Sequence, residues 1–253
     1  RRLRRARLPR LSVVLCLVAG FARADGPQAG TVLYLNRCAG GCSFSSGAAD
    51  DSISNVSSVV PSGGATLDAY AWGTASFGEV VECVRDLYSP FDVTVVDSPP
   101  GATPHLELVV AGEPEDLGLT AGTTTVAPFT CGFVTNGVGF VFANEIGNDP
   151  QYICESAGRL SGQLAGLDTA FHCPDVMSFL FACAPPKTFT DADVSCGEFG
   201  PRPCTCGGSE QNSSQHLLAL YGPSSATPVP VAGRTGLALL ALSLCLAAAA
   251  ALG

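Results

Sequence analysis

The sequence predicts an α+β domain with one sheet and two main helices, held by disulfides. Three observations carry this. Strand, helix, strand, strand, hairpin and helix signals follow one another along the chain. Two segments place apolar residues at helical spacing. Ten cysteines lie in the body of the chain, between an apolar leader and an apolar tail.

Thr31 to Leu35 is β-branched and aromatic and reads as the first strand, with Cys38-Ala-Gly-Gly-Cys42 as a tight loop after it. Asp50 to Ala75 is rich in Ser, Gly and Asp and reads as surface loop. Asp50 and Asp51 there spell no complete calcium loop. Phe77, Val80, Val81, Val84, Leu87 and Tyr88 recur at helical spacing until Ser89-Pro90, so an amphipathic helix is expected to pack one side on a sheet. Phe91 to Val96 and Leu106 to Val110 read as half-buried strands separated by Ser98-Pro-Pro-Gly101. Phe129 to Thr135 and Val138 to Ala143 read as a hairpin around Asn136-Gly137. Ile153, Ala157, Leu160 and Leu164 form one stripe of a second helix, which Gly166 is placed to end.

Charge divides the chain unevenly. Seven of the 13 basic residues lie at or before Arg23, and the remainder holds six basic against 22 acidic residues, a net charge of −16. So acidic a body has no basic stripe for phosphates, which argues against a nucleic-acid partner. Residues 1–24 read as a secretory signal: a basic stretch, an apolar run from Leu11 to Phe21, then Ala22-Arg23-Ala24 before the cut. The body is expected over 25–206, a Gly/Ser/Pro-rich linker containing His216 over 207–234, and an apolar sorting or anchor segment over 235–253. Such a tail is either a membrane handle or a cleaved lipid-anchor signal, and in both cases the body faces outward at the cell surface.

Cysteine use agrees with export. Without Cys16 and Cys245, ten remain: Cys38, Cys42, Cys83, Cys131, Cys154, Cys173, Cys183, Cys196, Cys204 and Cys206. An even number in an exported chain predicts up to five disulfides of unspecified pairing. Cys204-Thr-Cys206 cannot easily close on itself, so its sulfurs should reach different partners. A zinc knuckle of Cys196, Cys204 and Cys206 is the competing reading, against which stands the tendency of exported thiols to oxidise.

After the second helix come Leu167-Asp168-Thr169 and Cys173-Pro-Asp-Val-Met177-Ser-Phe179. The run from Asp149 to Leu180 resembles the zinc segment of the metzincin metallopeptidases, the matrixin type included, in which H-E-x-x-H-x-x-G-x-x-H precedes a turn containing Met. Leu33-Tyr-Leu-Asn-Arg-Cys-Ala-Gly-Gly-Cys42, Glu82-Cys-Val-Arg-Asp-Leu-Tyr-Ser-Pro-Phe-Asp-Val-Thr-Val-Val96, Ala127-Pro-Phe-Thr-Cys-Gly132 and Val141-Phe-Ala-Asn144 add to the likeness. In their order they resemble exported, C-terminally sorted metzincin-like proteins of myxobacteria. The resemblance implies a metzincin-like single domain, with a mixed, twisted sheet and two main helices.

The zinc chemistry of that motif needs two imidazoles one helical turn apart, a carboxylate beside the first as general base, and a third ligand beyond the glycine. With the register fixed on Gly166, the ligand positions fall on Arg159, Gln163 and Thr169, the base on Leu160, and the Met-turn on Met177. None of the ligand positions is His, and Leu160 cannot accept a proton. Asp168, His172 and Glu155 are weak substitutes beside a cation that repels a metal. His105 and His216 lie elsewhere, in a strand and in the linker. Pro201-Arg-Pro-Cys204 reads as a disulfide loop.

The sequence therefore points to an exported pseudo-metallopeptidase with no catalytic residues and no expected cofactor. Its cleft is expected to hold an extended peptide or an envelope protein, with Arg159 pairing a ligand carboxylate. Two other readings are a zinc metalloendopeptidase with an aberrant ligand set and a purely structural envelope protein with a filled cleft.

Overall fold

The protein is described by a computed structural model over residues 28–180, 183 and 186–225. The expected signal (1–24) and apolar tail (235–253) lie outside the described residues. Among the described residues no helix is long and apolar enough to cross a membrane.

In chain order the elements are β1 (Thr31–Asn36), β2 (Cys42–Ser46), β3 (Val56–Ser57), β4 (Ala65–Leu67), α1 (Gly73–Tyr88), β5 (Val93–Val96), β6 (His105–Val110), a 3₁₀ turn (Pro114–Leu117), β7 (Thr125–Val126), β8 (Val138–Val141), α2 (Ala143–Ile146), α3 (Pro150–Leu164), β9 (Val194–Ser195), β10 (Glu210–Gln211) and α4 (Ser213–Tyr221). The fold is mixed α+β. Its main sheet runs β5-β1-β6-β8-β7, parallel except for the antiparallel edge strand β7.

Strand alternation divides this sheet into two faces. Leu33, Leu35, Leu106, Leu108 and Val110 point toward the helices, where α1 contributes Phe77, Val80, Val81, Val84, Leu87 and Tyr88. These six are the residues whose spacing predicted the helix. Helix α3 adds Ile153, Ala157, Leu160 and Leu164, and the Cys83–Cys154 disulfide ties it to α1. On the opposite face Val109, Val138 and Phe140 pack under a small sheet of order β3-β2-β4 with Phe44, Val60 and Leu67. Strand β6 is buried along its whole length, more than the half-buried strand expected, because it is central and covered on both sides.

The one sheet expected is corrected to three among the described residues, the main sheet, the β3-β2-β4 sheet and the β9-β10 pair, because the short strands after β1 and after α3 pair among themselves. Further corrections concern the segments between. The hairpin around Asn136-Gly137 does not form from Phe129 to Thr135: β8 takes its antiparallel partner from β7. The turn itself is present, with Asn136 at φ 50° and the Gly137 N–H bonded to the Val134 carbonyl. The segment before it is claimed elsewhere. The Val134 N–H donates to the Leu164 carbonyl at the end of α3, and Cys131 is bonded to Cys206.

Residues 50–75 are not simply surface loop, since they carry β3 and β4 and bury Val60, Leu67 and Tyr70. Nor is all of 207–234 linker. Asn212 caps α4 by accepting the Gln215 N–H, and Leu217 and Tyr221, one turn apart, enter the helix-side core. His216, placed in the linker by sequence, lies on this helix, and its Nε2 donates to the Ala165 carbonyl at 2.8 Å.

All ten body cysteines pair: Cys38–Cys42, Cys83–Cys154, Cys131–Cys206, Cys173–Cys183 and Cys196–Cys204. As the short Cys204-Thr-Cys206 spacing required, those two sulfurs reach different partners. Multiple disulfides are compatible with an extracellular protein.

Candidate functional site

Helix α3 starts at an Asp149 cap that accepts the Tyr152 N–H, with Pro150 in its first turn. It ends in a left-handed glycine turn. Gly166 has φ 91°, its N–H bonds the Gln163 carbonyl, and the Leu167 N–H reaches back to Gly162. A Cβ on Gly166 would also lie 3.2 Å from the backbone of Gly132, so glycine is required there twice over. The reversal carries the chain to Asp168 and Thr169, then to a turn holding Met177 under the helix. A Cβ on Gly162 would come within 2.3 Å of the Met177 sulfur, so the close approach of that turn depends on glycine at 162.

Asp175 fastens the same turn from inside. Its Oδ1 accepts the Met177 N–H at 2.8 Å, while Oδ2 accepts the hydroxyls of Thr190 and Ser213 at 2.6 Å each. This residue, fully buried, was not singled out by sequence. Its place two residues before the only methionine, after Cys-Pro, was the available signal.

The positions where the metzincin resemblance places ligands hold other chemistry. Arg159 is only 7% exposed. Its Nη2 donates to Thr125 Oγ1 on edge strand β7 at 2.8 Å, and its guanidinium carbon lies 4.0 Å from the centre of the Phe179 ring. Burial lowers its pKa to about 10, which still leaves it a cation at neutral pH. Leu160 is wholly buried in the core. Gln163 is half-buried, and Thr169 is buried with its N–H on Asp168 Oδ1 at 2.7 Å.

About 20 Å³ remains beside Arg159, bordered also by Glu155, Ser156, Phe179 and Lys187; neither Gln163 nor Thr169 borders it. That is room for one water. Among the described residues, Ser156 Oγ is buried without a hydrogen-bond partner. Glu155 is already engaged: its carboxylate lies 3.7 Å from Lys187 Nζ and accepts the Gln151 amide at 3.0 Å. Lys187 also donates to the Ser178 carbonyl at 3.1 Å, and burial lowers its pKa.

The substitute ligands do not assemble. Asp168 is gripped bidentately by Arg202, at 2.7 and 2.9 Å, and accepts the Thr205 N–H at 2.7 Å. Burial alone would raise the Asp168 pKa. The bonds from Arg202 and Thr205 outweigh it and hold the carboxyl well below the usual carboxylate range. His172 sits half-buried in the loop before the Met177 turn, where its carbonyl accepts the Asp175 N–H.

Among the described residues, the group of three metal-type side chains whose ligand atoms lie within 4.8 Å of one another is Asp168, Cys196 and Cys204. Cys196 and Cys204 are bonded to each other, so they offer no thiolate, and Asp168 has its oxygens committed. The donor set does not fit a zinc ion. The knuckle of Cys196, Cys204 and Cys206 does not form either, because Cys206 is bonded to Cys131. Pro201 to Cys204 is a disulfide loop, and its Arg202 is the residue that occupies Asp168.

Comparison with models of known protein families gives no match, and no curated protein matches the chain.

Proposed function

We propose that the protein is an exported metzincin-like domain without peptidase chemistry, retained as a binding scaffold at the cell envelope. One observation carries the reading: a buried guanidinium, stacked on Phe179 and bonded to Thr125, stands where the metzincin resemblance would put the first metal ligand. The helix, the glycine turn and the Met177 turn support the kinship.

The surface offered to an extended peptide is the edge of β7, a strand that pairs on one side with β8. A peptide adding there would gain main-chain hydrogen bonds without any metal. Arg159 is not the hook for a ligand carboxylate that the sequence suggested, since Thr125 and Phe179 already engage it. The small space around it favours a second reading for this face, a purely structural role with the cleft filled by side chains.

Metal analysis and a proteolysis assay on the purified full chain test the proposal together. Substoichiometric zinc and no hydrolysis of an unfolded protein substrate are expected. Stoichiometric zinc, or hydrolysis abolished by a chelator, would overturn it in favour of a metalloendopeptidase.

A further inference from the structure

The larger cavity is on the other side of the sheet. Tyr34 and Asn36 on β1, and His105 and Glu107 on β6, share the face turned away from the helices, with Tyr34 directly opposite Glu107 in the parallel register. They border a cavity of about 460 Å³, whose walls include Ile53, Pro99 and Pro100. That volume suits a small organic ligand.

The bonding around these groups leaves a particular set of valences open. Glu107 is only 2% exposed, and its Oε1 accepts the Asn36 amide at 2.7 Å. Asn36 is itself fixed, because its Oδ1 accepts the Cys38 N–H at 2.8 Å. Among the described residues, Glu107 Oε2 has no hydrogen-bond donor. His105 Nδ1 lies 2.7 Å from the Thr103 carbonyl and must donate to it, so Nε2 of the neutral ring carries the lone pair. Tyr34 stands edge-on to that ring at 6.0 Å, its hydroxyl likewise unpartnered among the described residues.

Three acceptors are thus available, and among the described residues no Lys or Arg lines the cavity. A carboxylate or phosphate ligand would meet only like charge. A buried carboxylate without a counter-cation is expensive to keep ionised, and a cationic ligand would supply the missing charge. The available groups are hydrogen-bond acceptors, not a cage of aromatic faces, which favours N–H donors over a quaternary ammonium. The apolar walls at Ile53 and the two prolines suit a short aliphatic chain.

We propose that this cavity binds a primary alkylammonium group, with Glu107 as its counter-ion and His105 and Tyr34 as further acceptors. The same chemistry is presented by a free aliphatic amine and by a lysine side chain. The site is independent of the metzincin reading and shares no residue with the α3 cleft.

Calorimetry or ligand-observed NMR on the purified full chain at pH 8, with n-butylammonium as probe, tests the proposal. Saturable binding with a Kd of the order of 1 mM is expected. Butanol, butyrate and tetramethylammonium should each bind about tenfold more weakly or worse. Glu107→Gln preserves the acceptor for Asn36 and should weaken butylammonium by about tenfold or more. Ile53→Lys, on a rim residue that is 42% exposed, places a tethered ammonium at the mouth and should compete with the probe without disturbing the core.

Tighter binding of Nα-acetyl-lysine methylamide than of butylammonium would identify a lysine side chain as the source; the reverse order would identify a free amine. Absence of saturable binding, equal binding of butanol, or an affinity unchanged in both variants would overturn the proposal.

Discussion

On the helix face of the main sheet, Arg159, Glu155 and Lys187 lie together with about 20 Å³ left between them; on the opposite face, Glu107 and His105 border about 460 Å³. Both places bury charge, but among the described residues only the first compensates it internally. Glu155 has Lys187, and Arg159 has an aromatic face and a hydroxyl. Glu107 has one neutral amide, which opposes but does not cancel the desolvation that raises its pKa to about 7. A face whose polar groups satisfy one another is built to stay closed. One whose carboxylate is left half-satisfied beside an open cavity is built to receive something. The search for a ligand therefore moves from the packed α3 segment to the far side of the sheet.

The closed face can be broken most severely at Asp175. Asp175→Ala would leave the Met177 N–H and the Thr190 and Ser213 hydroxyls without their acceptor inside the core. A loss of about 4 kcal/mol in chemical denaturation is expected, with Asp175→Asn milder because it keeps one acceptor. A loss below about 1 kcal/mol would show that the turn under α3 is held by Met177 packing alone.

Next comes the clasp beside it. Arg202→Ala would strand the buried Asp168 carboxylate and should cost about 3 kcal/mol at pH 7, discounted from a fully buried pair because Arg202 remains a third exposed. Asp168 has its pKa depressed in the fold. Its contribution is present above the unfolded carboxylate pKa near 4 and is lost as pH falls through the folded value. The wild-type advantage over Arg202→Ala should therefore shrink in acid, which denaturation curves at pH 7 and pH 2 would show.

How far the sequence reached differs between the faces for a physical reason. The six apolar positions of α1, the stripe of α3 and the Gly166 stop were legible because helical periodicity and a left-handed turn are local properties. The separation of Cys204 and Cys206 followed from covalent reach. The pairing of β8 with Thr125–Val126 was not legible, since what keeps Phe129 to Thr135 out of the sheet is the end of α3 and a disulfide to Cys206, both distant in sequence. The cavity at Glu107 was hidden similarly. Tyr34 and Asn36, and His105 and Glu107, each show the spacing of one strand face, but only the parallel register of β1 and β6 makes four residues one site. The sequence offers His105 and Glu107 only as strand residues, and Tyr34 and Asn36 as part of the stretch from Leu33 to Cys42.

The open face can be sharpened through Glu107. Its pKa is raised in the fold, from 4.5 to about 7, mainly by desolvation. Its contribution is therefore most favourable below the unfolded value and is lost as pH rises through about 7. The other groups to consider there are Tyr34 and His105, which line the cavity, and Asp97, whose negative charge acts on Tyr34 together with that of Glu107. By linkage the ionised Glu107 costs on the order of 3 kcal/mol at pH 8. Glu107→Gln should raise stability by up to about that amount at pH 8 and by little at pH 4.5, while losing the ammonium. A variant that gains stability and loses binding is the signature of a group kept for its ligand. A variant that loses stability at pH 8 would identify Glu107 as structural.

The smallest effect is expected at Arg159, where it tests whether the space between α3 and β7 is merely filled. Arg159→Met keeps much of the side-chain volume against Phe179 but gives up the bond to Thr125 and the stacked cation. Those losses, about 2 to 3 kcal/mol by the usual worth of such contacts, are offset by no longer desolvating a guanidinium whose pKa burial has pulled down to about 10. Replacing a buried charge with an apolar group of similar shape is commonly neutral or mildly stabilising, so a change within about 1 kcal/mol is expected, with butylammonium binding untouched. A fall of about 3 kcal/mol would mean that Arg159 secures β7 against α3 as a structural tie, and a fall in ammonium binding would mean that the two faces are coupled through the sheet.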